Sequence, residues 1–363
     1  MIQSAADPTP FYKKLAFNLF NLAMLGALLY IGQGILVPLF FAILLATLLL
    51  PVTNFLQRLG LHKILSIVLS IAVTVILILG IIYLLSHQVQ VFLRDSDAIR
   101  DRLASLVESL QDWVNQRFNV SAKEQNKYFK DAVGNIRTAG PNLVGQTVGT
   151  ITEMLSYVVF LPVYIFLILY YKDLIRKFII ASFRNGSEDR IKEILYESRT
   201  IGRHYILGLM IDMSIVFTLN AVGFLILGIK YAVFLALVGA LLNLIPYIGM
   251  LIANVFCMLV TLVSSDNTSD VLWVAIVLAV VQFIDNNFLM PLIVGNKVRI
   301  NALVTIVGVV IGGALCGVSG MFLAIPGLAV MKVVFDRVEG LKPWGMVLGD
   351  DTPDKQKKKK PIV

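Results

Sequence analysis

Gln282-Phe283-Ile284-Asp285-Asn286-Asn287-Phe288-Leu289-Met290-Pro291 sets one carboxylate and three amides inside an apolar run. A charged aspartate at a bilayer centre costs about 2.5–3.5 kcal/mol on insertion scales, so such a group is paired or used. The flanking runs, Tyr231–Val263 and Ile300–Met331, are awkward lengths for a membrane span. Each would be about 50 Å long as one helix, against a hydrocarbon core of about 30 Å, yet neither reaches two full spans. Both are broken near the middle. The first holds Asn243-Leu244-Ile245-Pro246-Tyr247-Ile248-Gly249, and the second Gly312-Gly313, Gly317 and Gly320, with Pro326 beyond. We expect two re-entrant hairpins, with Val271–Pro291 as a full span between them.

The composition agrees with a membrane chain. Of 363 residues, 58% are hydrophobic and only 15% charged, where a soluble domain is nearer half apolar and a quarter charged. The net charge of +8 lies largely in juxtamembrane loops and a terminal tail. It therefore reads as topology, not as nucleic-acid binding. Cys257 and Cys316 sit in apolar runs, and no Cys/His spacing suggests a metal; no cofactor is expected. Gly140-Pro141-Asn142-Leu143-Val144-Gly145-Gln146-Thr147 imitates a phosphate loop but has Gln146 where lysine is needed. ATP drive within this chain is thereby disfavoured. Asp212 and Asp285 lack the Gly-x-Gly-Asp setting of an intramembrane protease dyad, and no enzyme is expected.

Along the chain, Ala16–Ile31 and Ile35–Phe55 read as a tight helical hairpin around Gly32-Gln33-Gly34, the first arm an uncleaved anchor. Ile64–Ser86 is a third span. Residues 87–141 are hydrophilic, and Ile99, Leu103, Leu106, Leu110 and Val114 recur at helical spacing, which predicts an amphipathic soluble helix, with a second to follow. Val144–Tyr171 is a fourth span. Ile191, Ile194, Leu195 and Ile201 suggest an amphipathic helix leading into a fifth span, Tyr205–Ile229, which Asp212 interrupts. Trp344 reads as an interfacial anchor and the Lys357–Lys360 run as a tail facing anionic lipid. The expected units are residues 1–86, 87–141, 142–204, a transport core at 205–336, and a basic tail at 337–363.

Charge counting supports the hairpins. With the N-terminus cytoplasmic, two re-entrant hairpins put most of the 31 Lys and Arg inside, including Lys297 and Arg299. The acidic loop 264–270 stays outside. Span five with the first hairpin, and Val271–Pro291 with the second, then share one plan in opposite orientations. The expected fold is all-α and polytopic: about six full transmembrane helices and two opposed re-entrant hairpins forming an inverted repeat.

Asn243-Leu-Ile-Pro246-Tyr-Ile-Gly249, Asp285-Asn-Asn-x-x-x-Pro291-x-x-x-Gly295, the Gly312–Gly320 cluster and Pro326 together resemble the autoinducer-2 exporter (AI-2E) family of permeases. The likeness spans nearly the whole chain and is strongest from Gly202 to Asp336. One departure is Met250, where many relatives carry a second proline. The resemblance implies a multi-pass protein of the bacterial inner membrane with cytoplasmic termini, forming a homo-oligomer. It implies transport without settling the substrate, since members resemble exporters of autoinducer-2 or sodium/proton antiporters.

On this reading the substrate or ion site draws on Asp285, Gln282, Asn286, Asn287, Asn243, Pro246, Tyr247, Gly249 and Asp212. Pro291, Gly295, Gly312, Gly313, Gly317, Gly320 and Pro326 shape the hairpins. Bland alternatives stand beside these. Asp285 fits equally a helix-end carboxylate at the interface or a cap on the second hairpin. Asp212 is shallow enough to pair with Arg203 or His204, and the glycines suit plain helix packing. Three functions follow: export of a small polar organic molecule, such as an autoinducer-2-like signal; cation/proton antiport; or a membrane scaffold. The expected partners are lipid, the transported solute and further copies of the chain.

Overall fold

The computed structural model describes residues 10–118, 159–182, 188–246, 248–293 and 300–349. Among these the chain is helical, without strands, apart from one isolated bridge between Ile300 and Gly349. Tyr247, Gly295, the expected second soluble helix, the start of the fourth span and the Lys357–Lys360 run lie outside the described residues. Five helices are long and apolar enough to cross a membrane: Gln33–Arg58, Lys63–Phe92, Glu188–Ile226, Ser269–Ile293 and Ala302–Arg337.

Helix α1 (Phe11–Ile31) and α2 (Gln33–Arg58) meet at Gly32. The Gly32 amide donates to Leu28 O at 2.8 Å and the Leu36 amide to Gly32 O at 2.9 Å. Helical hydrogen-bond spacing therefore runs through the joint. The expected tight reversal is a bend, because Gly32 (φ −84°, ψ 3°) departs only locally from helix geometry. Pro38 and Pro51 sit inside α2 without ending it. Helix α3 (Lys63–Arg94) outruns its expected span, and α4 (Ser96–Phe118) is the expected helix of the insert. Next come α5 (Val159–Tyr170) and α6 (Lys172–Ser182). The amphipathic helix expected around 191–201 and the fifth span are one continuous α7 (Glu188–Ile226). No glycine or proline between Ile191 and Ile201 gives it cause to stop.

Helix α7 is the axis of the molecule. It ends in a Schellman turn: the Ile229 amide reaches Phe224 O at 3.0 Å and the Gly228 amide reaches Leu225 O at 3.1 Å. Gly228 takes φ 71°, a left-handed conformation that glycine adopts without steric cost. The reversal sends α8 (Ala232–Leu242) back along α7. Ala232, Ala236, Gly239 and Ala240 are buried on α8. In lipid, helices gain little from leaving the solvent, so close approach through small residues supplies the packing.

Residues 243–246 begin the turn that leads to α9 (Ile248–Ser264), which returns antiparallel to α8. The Cys257 thiol donates to Leu235 O at 3.6 Å. At the tip, a Cβ on Gly249 would overlap Leu242 O, so no larger residue fits. Helix α10 (Ser269–Ile284) then packs on α7 and α9, closing a core around Phe224, Leu235, Cys257, Val274 and Leu278.

The second long run, α12 (Ala302–Arg337), also reverses. Cys316 (φ −135°, ψ 22°) and Gly317 (φ 60°, ψ −148°) are non-helical. A Cβ on Gly308 would strike Leu328, one on Gly313 would strike Met321, and Gly312 and Gly320 lie backbone to backbone. Residues 308 and 328 would be about 30 Å apart in a straight helix, so the two arms are antiparallel. The returning arm packs Ala329 and Val333 on Ile201 of α7. Arg337 pairs with Glu193, at 3.5 Å, and with Glu197, and Arg190 with Glu339 at 3.7 Å. The short helix α13 (Lys342–Leu348) folds back on this end, leaving Trp344 exposed.

The open ends of the two hairpins thus lie toward opposite ends of α7. Leu244 from the first tip and Phe322 and Ile325 from the second returning arm meet on Tyr205, Ile206 and Leu209, near the middle of α7.

Candidate functional site

The stretch after α10 is not a regular helix. Asp285–Leu289 is a π-helical turn, with the Met290 amide reaching back to Asp285 O, followed by the short α11 (Met290–Ile293). The local sequence explains it. Pro291 has no amide to donate to the preceding turn. The Asn287 side chain donates to Phe283 O at 2.8 Å, competing with the main chain for that carbonyl. A single π-turn inside an α-helix often marks a working site. Here it turns Asp285 inward.

Asp285 is 2% exposed. Asn243, at the tip of the first hairpin, donates to its Oδ2 at 3.2 Å, and Gln282 donates to the same oxygen at 3.3 Å. Asp212, from α7, lies close enough to Asp285 for the two carboxyl groups to act on one another electrostatically. Asp212 too is 2% exposed, and Oδ1 of each carboxyl has no protein hydrogen-bond partner. Neither carboxylate has an ion pair among the described residues, and His204 instead binds Thr200 O at 2.7 Å. The alternative pairing of Asp212 with Arg203 or His204 is therefore not formed, the nearest charged influence on Asp212 is Asp285, and Asp285 neither caps the second hairpin nor lies at a free helix end.

Beside Asp285 is a narrow cavity of about 20 Å³, bordered by Asn220, Asn243, Asn254, Gln282 and Met250. A water molecule needs roughly 10–15 Å³ on the same measure, so the cavity admits one water or one bare ion. Asn220 is a site residue that the sequence reading missed. It is 3% exposed and its Oδ1 has no protein partner. Its signal was the four-residue spacing Asp212, Val216, Asn220, which puts all three on one face of α7.

The remaining expected residues divide. Gln282 bridges Asp285 and Asn286, donating to Asn286 Oδ1 at 3.1 Å, but Asn286 and Asn287 are exposed. Asn287 is spent on the backbone and does not join the pair. Pro246 and Gly249 shape the tip and make no side-chain hydrogen bond to the carboxylates. Gly312, Gly313 and Gly320 hold the second hairpin together; Gly317 makes its turn. Pro326 is buried in the returning arm, and Pro291 follows the π-turn.

Two carboxyl groups that act on one another, out of water and without a cationic side chain, cannot both stay ionised cheaply. One shared proton or one small cation would relieve that repulsion. Aspartic proteases use such a pair too, but here amides surround it and the adjoining space has room for little more than a water.

A multi-pass, all-helical membrane protein with a buried polar site between its helices is the architecture of a permease. The chain belongs to the AI-2E family: the family described as AI-2E family transporter matches residues 19–340. It is similar to the candidate transport protein YrrI of Bacillus subtilis, 27% identical over 83% of this chain and 86% of the relative. The candidate permease PerM of Escherichia coli K12 is 26% identical over 85% and 88%. The candidate transport protein MT0215 of Mycobacterium tuberculosis is 24% identical over 90% of each. These are families and relatives of transporters and permeases, not of enzymes.

Proposed function

We propose that this transporter is a secondary antiporter in which the Asp212–Asp285 pair takes up a proton and a monovalent cation in alternation. The observation that carries the reading is two buried, electrostatically interacting carboxyl groups with no ion pair among the described residues. One positive charge is the natural complement of that pair. Asn243 and Gln282 orient Asp285, and the cavity beside it suits an ion stripped of most of its water.

The second reading is export of a small polar organic molecule such as an autoinducer-2-like signal. The description of the matching family, AI-2E family transporter, is what suggests it. A pocket for a drug-sized ligand occupies about 300–1,000 Å³, so the 20 Å³ cavity would have to widen more than tenfold.

The topology belongs to the same proposal. Helix α8 has 11 residues, about 17 Å of helix, roughly half of a hydrocarbon core. We read both hairpins as re-entrant, the first from outside and the second from the cytoplasm of a bacterial inner membrane, with the C-terminal end cytoplasmic. Residues 205–336 are then the transport core, and, since α1 runs into α2 without reversing, the two count as one crossing and full spans number about five. The assembly is read as a homo-oligomer, which light scattering in detergent measures.

Proteoliposomes loaded with a pH-sensitive dye test the function. Sodium or potassium added outside should dissipate an imposed pH gradient, and Asp285→Asn and Asp212→Asn should each abolish the response. Cation-independent uptake of an organic solute, with no proton movement, would replace this reading by the exporter. No flux of either kind would leave the scaffold.

A further inference from the structure

Helix α6 reads Lys172-Asp173-Leu174-Ile175-Arg176-Lys177-Phe178-Ile179-Ile180-Ala181-Ser182, and none of its residues is buried. Leu174 and Phe178, one helical turn apart, are 62% and 68% exposed. A short helix with basic residues and a bare apolar face suits the headgroup level of a membrane. Lys63 and Lys172 mark the same level, the one donating to Tyr170 O at 2.8 Å and the other to Asn54 Oδ1 at 3.2 Å.

Beneath α6, between α2, α5 and α7, lies a cavity of about 500 Å³ that the transport reading does not use. Its deep wall is apolar, with Ala46, Leu50 and Leu169. Its mouth is basic, with Lys172, Arg176, Lys192 and Arg199 against a single acid, Asp173. Lys192 is partly neutralised by Glu188 at 2.8 Å. Arg176 and Arg199 have no ion pair among the described residues. The cavity opens past Ile43 and Ile175, both exposed. Two guanidinium groups without a close ion pair among the described residues, above an apolar slot, complement a molecule with a phosphate at one end and a hydrocarbon chain at the other. Guanidinium forks match phosphate oxygens two at a time, and basic pockets between membrane helices take anionic headgroups.

We propose that this cavity is a binding site for an anionic phospholipid, its phosphate between Arg176 and Arg199 and an acyl chain along α2 and α5. Occupancy ties α6 and the first turns of α7 to the membrane surface. The site is separate from the acid pair and stands whether or not that pair carries ions.

Tyr196 lines the cavity, so Tyr196→Trp, in a chain with Trp113, Trp273 and Trp344 replaced by phenylalanine, reports on it. The full-length protein is placed in vesicles of phosphatidylcholine containing a tenth of brominated phosphatidylglycerol, or a tenth of brominated phosphatidylcholine. The expected result is several-fold stronger quenching by the brominated anionic lipid. R176Q/R199Q should equalise the two lipids, and R176K/R199K should keep part of the preference. Native mass spectrometry of the unaltered chain should show a retained phosphatidylglycerol. Equal quenching by both lipids, or a preference untouched by R176Q/R199Q, overturns the proposal. So does loss of the preference on adding millimolar inorganic phosphate, which would mark a site for a soluble anion. Should R176Q/R199Q fail to fold, the lipid comparison and the phosphate competition in the parent chain still decide.

Discussion

At the scale of single residues, the proposed function rests on two buried carboxyl groups, Asp212 and Asp285, that repel one another when both are ionised. Asp212→Asn and Asp285→Asn each relieve that repulsion while keeping nearly the same shape. We expect cation-coupled proton flux to fall at least tenfold, while the melting temperature in detergent holds or rises. A structural role alone would lower both. Asn243→Ala acts differently, because it removes a donor to Asp285 Oδ2 and leaves Gln282 alone on that oxygen. Losing the partner of a buried polar group costs about 1–3 kcal/mol, so this variant should melt earlier as well as transport poorly.

Among the elements, the two hairpins are decided by glycine for different reasons. Gly249→Ala forces a Cβ into Leu242 O, and backbone cannot step aside as a side-chain end can. We expect destabilisation of about 3 kcal/mol or more. Gly317→Ala meets open space but must hold φ 60° and ψ −148°, a region nearly closed to other residues, at about 1–3 kcal/mol. Gly80→Ala is the contrast, its new Cβ meeting nothing within 4 Å beyond the local backbone of α3. It should stabilise by roughly 0.5–1 kcal/mol through helix propensity. Thermal melts of the three variants in one detergent rank them.

The join between α3 and α4 carries a titratable tether to the first hairpin. Asp95 accepts from Lys230 at 2.8 Å and from Tyr231 at 2.6 Å. The hydrogen bond from Lys230 holds Asp95 below its usual 3.8, and the same bond raises Lys230 above its usual 10.5. A lowered carboxylate contributes above its unfolded value and loses that contribution as pH falls through the folded one. A raised lysine loses its contribution as pH climbs through its folded value. The tether is therefore intact at neutral pH, weakens as the pH falls below Asp95's lowered value, and weakens again only in strong alkali. Spin labels on Arg94 and Ser264 should show a distance that holds near neutrality and broadens under strong acid. Asp95→Asn should show the broad distribution at neutral pH too.

For the whole molecule, the sharpest expectation concerns which side each hairpin opens to. Helix α7 has 39 residues, about 58 Å of helix, and the hairpin openings lie toward its opposite ends. With Cys257 and Cys316 removed, a cysteine at Ser265 should react with an impermeant maleimide from outside intact cells. One at Asn301 should react only after the membrane is opened. Labelling of both from one side would sink the opposed-hairpin topology and the inverted repeat with it.

The amino-acid sequence by itself determined the class of the molecule and the position of its breaks. Apolar length separates membrane from soluble segments, because every backbone polar group in lipid must be satisfied within the chain. Two runs of intermediate length with polar or glycine interruptions point to helices that turn back. The Asp285 stretch stood out because polar groups at that depth are expensive. Local pattern misjudged two joints. Gly32 permits a reversal without requiring one, and nothing between Ile191 and Ile201 stops a helix, so α7 runs unbroken where two elements were expected. Only the tertiary structure put Asp212 against Asp285. The two are 73 positions apart, and no periodicity links residues on different helices. Their approach depends on the π-turn that rotates Asp285 inward and on how α10 and that turn pack against α7. Spacing along one helix made Asn220 legible in principle, but the cavity it faces exists only where α7, α8, α9 and α10 meet. Sequence could show that a costly carboxylate was present, whereas its partner was a matter of packing between helices.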